Sequence, residues 1–325
     1  MLIKRFYCNT YLSYVVVIDA LDECDSETNM RIILRLLTET RSLKKVRLRV
    51  LVTSRSEVPI RYGFYQIPDA ERRDFILHDI EAAIVDHDIS IFLYHELALI
   101  GQEWSLGAGW LGEQALRRLV LNASGLFIWA ATACRFVRDG RSYAARRLSM
   151  MLVGSTSTLA PDRHLNSVYI TVLKNTIHEE YLEEEKEDRY SVLKQILGTV
   201  VLLYSPLSVN SLPKLLHPPK GNIERGLADL YAILDIPKDT SRPLRLHHPS
   251  FRDFLVNKDR CSDPNFWVDE KQAHQELVDN YIRLMSTSLK QDICSLNTPS
   301  ILASDVECSR VERSRVERSL PSEVL

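Results

Sequence analysis

The chain has no apolar run long enough to cross a bilayer as a helix. Stretches such as Val15 to Ile18 and Val200 to Leu203 fall far short of the ~20 residues that a span requires. Closely spaced cysteine pairs are also missing. The 6 cysteines, Cys8, Cys24, Cys134, Cys261, Cys294 and Cys308, form no C-x-x-C pair, which argues against a zinc site or a disulfide framework. Reduced thiols and a cytoplasmic location are the natural expectation. Neither sign of charge is in large excess. Lys plus Arg total 41 against 43 Asp plus Glu, a net charge of -2, so no global field draws the protein to a polyanion and nucleic acid is not favoured as a partner. After Lys4 and Arg5, the interrupted segment Phe6 to Thr10 lacks the apolar core and small-residue cleavage site of a signal peptide. What is present is globular: 325 residues, 45% of them hydrophobic, enough for two or three domains.

Tyr14-Val15-Val16-Val17-Ile18 is a short β-branched run without alternation, the pattern of a strand buried on both faces of a parallel sheet. It runs into acid, Asp19-Ala20-Leu21-Asp22-Glu23-Cys24-Asp25. Ser26 can then cap a helix whose apolar positions Met30, Ile33, Leu34 and Leu37 recur at three- and four-residue steps. Val46 to Val52 reads as a second buried strand ending at Thr53-Ser54-Arg55, and Tyr65-Gln66-Ile67 after Gly63 reads as a third. Strand, helix and strand in this order predict a parallel α/β unit with a right-handed crossover.

From Asp79 the pattern becomes helical. Ile80 to Ile100 is followed by a Gly-rich break from Gly101 to Gly112 and a helical stretch from Leu116 to Val137. Gly154 to Pro161 forms a polar link, the clearest candidate boundary. Helical runs return at Leu165 to Ile177 and Val192 to Leu203, and the acidic stretch Glu179 to Asp188 reads as a solvated helix face or loop. Phe251, Phe254 and Leu255 share one helical face and are expected inside. The tandem Ser309 to Arg313 and Ser314 to Arg318 is too short for a repeat architecture.

An apolar strand ending in Asp19, with Asp22 and Glu23 beyond it, suits a nucleotide hydrolase. The first carboxylate can hold Mg²⁺ through water, and a second can orient or deprotonate the attacking water. The same Asp-x-x-Asp-Glu also suits an acidic loop that does no more than lead into the helix after Ser26. Arg55, at the end of the neighbouring strand, can lie near a γ-phosphate or simply pair with Glu57 on the surface. His248, between His247 and Pro249, reads by itself as a satisfied, partly buried histidine in a packed turn.

Together these segments resemble fungal NACHT proteins, signal-transducing P-loop NTPases of the STAND class related to heterokaryon-incompatibility regulators. Val17 to Cys24 and Leu51 to Arg55 resemble the Walker B and sensor motifs, Gly125 to Thr132 the helical-domain motif, Leu246 to Leu255 the winged-helix motif, and Asp292-Ile293-Cys294 the segment after it. The resemblance implies an α/β beginning followed by a mostly α remainder. It implies a partial NACHT core with a P-loop NTPase parallel sheet over 1–78, a helical domain over 79–153, a winged-helix-like domain over 160–260 and a C-terminal helical linker over 261–325. It implies Asp19 as the Mg²⁺-associated acid, Asp22 or Glu23 as the water-activating acid and Arg55 as the phosphate sensor. His248 would then reach the β-phosphate of ADP in the inactive state, and the cofactor would be Mg-ATP or Mg-GTP.

One family element is missing before Tyr14. The G-x-x-x-x-G-K-[ST] loop cradles the phosphates with its amides and lysine, yet residues 1–13 contain no glycine and Lys4 is followed by Arg5 and Phe6. The expectation is a truncated NACHT-type fragment that acts as an interaction or regulatory module without independent ATPase activity and binds no cofactor tightly. Protein partners or self-oligomerisation are expected, with no membrane. The alternative is an ATP- or GTP-dependent oligomerising switch in non-self recognition and programmed cell death, with the P-loop supplied by residues outside this sequence. A winged-helix nucleic-acid module is a further class, weakened by the lack of a basic-aromatic pattern near Arg245 to Arg252.

Overall fold

The computed structural model describes residues 2–8, 11–24, 26–40, 46–55, 58–65, 67–107, 109–152, 160–203, 205–216 and 223–288. The family-like segment 292–294, the tandem at 309–318 and most of the polar link after Gly154 lie outside them. The chain is α/β at its start and mostly α thereafter, and it divides into two compact units, 1–79 and 80–325. Among the described residues no helix is long and apolar enough to cross a membrane.

In the first unit, β1 (Leu2–Cys8), β2 (Tyr11–Ile18) and β3 (Val46–Val52) form one sheet in that order. β1 runs antiparallel to β2, with Leu2 opposite Val17 and Cys8 opposite Tyr11. β2 and β3 are parallel, as expected, with Leu12 opposite Val46 and Ile18 opposite Val52. Between them lies α1 (Glu27–Glu39), capped by Ser26, whose side chain accepts the Thr28 N–H at 3.2 Å. α2 (Val58–Tyr65) follows β3. Leu21, Met30, Leu34 and Ile60 are buried together, with Ile18 and Val52 packed against them.

Two sequence expectations fail here. The strands are not buried on both faces: residues 14–18 are half-buried, while Val50 and Leu51 are 38% and 56% exposed. Successive strand residues point to opposite faces, so both faces of β3 meet solvent at Val50 and Leu51, and among the described residues the small core meets the sheet at Ile18 and Val52. Nor is Tyr65 in a strand. It closes α2, and the preceding Gly63 works as a contact point, since a Cβ there would lie 3.1 Å from the Cβ and Cγ of Leu34.

The second unit begins with α3 (Ala82–Glu103), α4 (Glu113–Ala123), α5 (Phe127–Asp139) and α6 (Ala144–Leu152). α3 buries Ile89, Leu93, Leu97 and Ile100 towards α4 and α5. The single stretch expected from Leu116 to Val137 is two helices. Ser124 and Gly125 adopt φ of 48° and 77°, left-handed conformations that end α4, and α5 restarts to bury Trp129, Phe136 and Val137.

α7 (Pro161–Asn175) starts on a proline, so the polar link stops one residue short of its expected end. α8 (Glu183–Leu202) places Glu183, Glu184 and Glu185 in its first turn, where acid complements the helix dipole. Glu185 accepts the Leu182 N–H at 2.8 Å, a local helix-starting role for part of the acidic stretch. There follow α9 (Leu212–Leu216), α10 (Ile223–Ala228), the short antiparallel pair β4 (Leu234–Asp235) and β5 (Arg245–Leu246), α11 (Ser250–Val256) and α12 (Glu270–Ser288). Phe251, Phe254 and Leu255 are fully buried, as their spacing predicts. The Tyr169 ring of α7 lies 5.0 Å from Phe251 and 5.5 Å from Phe254, centroid to centroid.

Candidate functional site

Parallel pairing of Ile18 with Val52 puts the chain segments after β2 and β3 side by side. Backbone bonds sew them together: Thr53 N–H donates to the Ile18 carbonyl and Leu21 N–H to the Thr53 carbonyl, each at 2.9 Å. Asp19, Asp22 and Arg55 therefore meet at one end of the sheet. Between the two acids the chain turns sharply. Ala20 sits in the left-handed region (φ 52°, ψ 57°) before the 3₁₀ turn Leu21–Glu23, a conformation that costs an alanine ~1–2 kcal/mol. Its N–H donates to Thr53 Oγ1 at 2.8 Å, and Thr53 Oγ1 in turn donates to Asp19 Oδ1. Thr53 thus positions the first acid and holds the strained turn.

Asp22 is engaged differently. Its side chain is only 7% exposed. Oδ1 accepts the Ser54 hydroxyl at 3.1 Å and the Arg55 N–H at 2.9 Å, and Oδ2 lies 3.5 Å from Arg55 Nε. Two hydrogen bonds and an ion pair fasten this carboxylate to the loop after β3. A general base must present a lone pair to the proton it takes, and Asp22 commits Oδ1 to Ser54 and Arg55 while its Oδ2 faces the Arg55 guanidinium. The geometry makes it a clamp between two strand ends. Glu23 contributes backbone to the 3₁₀ turn, and its side chain lies outside the described residues.

Asp19 is exposed, and its Oδ2 receives no hydrogen bond among the described residues. One such carboxylate fits a water-mediated Mg²⁺ contact, but Mg²⁺ in nucleotide sites is shared with phosphates that the protein must hold independently. No group of three or more His, Cys, Asp or Glu positioned for a metal occurs among the described residues.

His248 belongs to the second unit. Ser250 N–H donates to its Nδ1 at 3.2 Å, so that nitrogen is an acceptor and the ring carries its proton on Nε2. The Ser250 hydroxyl lies 2.7 Å from the same Nδ1, and the Tyr169 hydroxyl 2.8 Å from Ser250 Oγ. Burial pushes the Tyr169 phenol up, keeping it a donor. The chain of bonds runs from Tyr169 through Ser250 to His248, the packed and satisfied histidine that Pro249 and Phe251 indicated.

In the sequence the charged residues Asp19, Asp22, Glu23 and Arg55 stand out, and Thr53 and Ser54 beside them do not. The two hydroxyls are what bind Asp19 and Asp22 to the neighbouring strand. Their signal was the Thr-Ser pair directly after an apolar strand, where side-chain oxygens commonly satisfy loop backbone.

No curated protein and no solved structure matches the chain. One family model, described as Nephrocystin 3, N-terminal, matches residues 2–55, so the region similar to that family contains β1, β2, α1, β3 and the whole Asp19, Asp22 and Arg55 constellation.

Proposed function

We propose that the chain is a NACHT-type signalling module that works through protein contacts in the cytoplasm, without ATP hydrolysis of its own. The observation that carries this reading is the engagement of Asp22 by Ser54 and Arg55. Phosphoryl transfer depends on positioning and electrostatic stabilisation of the phosphates, and Asp22, one of the two acids that the resemblance offers for activating water, here joins two loops. The ordered motifs around Asp19, Arg55, Gly125 and His248 support the family assignment.

A second reading is an ATP- or GTP-dependent oligomerising switch. It is favoured by Asp19, whose exposed carboxylate keeps an open oxygen at the end of β2. Calorimetric titration with Mg-ATP and Mg-GTP separates the two, using the wild-type chain and an Asp19→Ala/Arg55→Ala double variant. The module reading expects weak heats that the substitutions leave unchanged. Micromolar binding abolished in the double variant would overturn it in favour of the switch.

A further inference from the structure

We draw no further inference here: the strongest candidate, the side-chain cluster of Arg135 in α5, Asp235 in β4 and His247 just after β5, rests only on the lowered titration of Arg135 and His247, and nothing in the structure shows a ligand for the buried Arg135 Nη1, which a single water would satisfy.

Discussion

The Asp22 carboxylate accepts the backbone N–H of Arg55 at 2.9 Å and lies 3.5 Å from the same residue's Nε. One acid thus holds both the main chain and the side chain of its partner across the gap between β2 and β3. These bonds differ in weight. Asp22 is nearly buried, whereas the Arg55 side chain is 51% exposed, so the ion pair is screened by solvent and contributes less than about 1 kcal/mol.

Asp22→Ala should therefore cost about 1–3 kcal/mol, because the Arg55 N–H loses its acceptor, while the Ser54 hydroxyl keeps the Arg55 carbonyl 3.0 Å away. Arg55→Ala keeps that N–H and should cost under about 1 kcal/mol. Urea denaturation of the two variants checks the order. Equal losses would mean that the ion pair, not the backbone bond, fastens the loop.

Gly101 offers a test in which intrinsic propensity and packing oppose each other. In a helix interior, Gly→Ala normally stabilises by ~1 kcal/mol. A Cβ on Gly101 would meet the Trp110 indole, with Cδ1 and Cε2 both 3.1 Å away. A rigid ring cannot yield without moving off α3, so Gly101→Ala should destabilise by about 1–3 kcal/mol and shift the tryptophan fluorescence to the red. A more stable variant with unchanged emission would show that the indole does not depend on this close approach.

Cys134 is buried in α5, and burial, with a smaller contribution from Glu96, pushes its thiol up from 9.0 to about 12. Between those values the unfolded chain has released the proton and the folded chain has kept it. The folded state then binds more protons, so stability falls as pH rises through this window. Cys134→Ala should flatten the decline in melting temperature between pH 9 and the onset of alkaline unfolding, after allowance for the cavity it leaves. An unchanged slope would assign the alkaline loss to other groups.

The strand-helix-strand beginning was legible because β-branched runs and the Ser26 cap are local signals. Burial of β3 was not, because it depends on what packs over Val50 and Leu51 rather than on those residues. Gly63 and Gly125 illustrate the same limit. Gly63 precedes a segment that reads as a strand, yet it permits α2 to approach Leu34, and Gly125 lies in a stretch that reads as one helix, yet it ends α4. β1 is not legible because Lys4 and Arg5 interrupt its apolar character, although its antiparallel pairing with β2 is local, Cys8 standing opposite Tyr11. In the site, the acids and Arg55 could be named from their spacing. Their division of labour could not, since it arises from Thr53 and Ser54 reaching back across the sheet.

Mg²⁺-dependent ATP turnover by the wild-type chain and by Asp22→Asn bears most directly on the role of the strand-end site, with urea stability measured alongside. Asn keeps an acceptor for Ser54 and Arg55 but cannot take a proton from water. If Asp22 is a clamp, both proteins show only background hydrolysis and the variant is modestly less stable. Clear turnover in the wild type that disappears in a folded Asp22→Asn protein would make Asp22 a catalytic base and contradict the assignment.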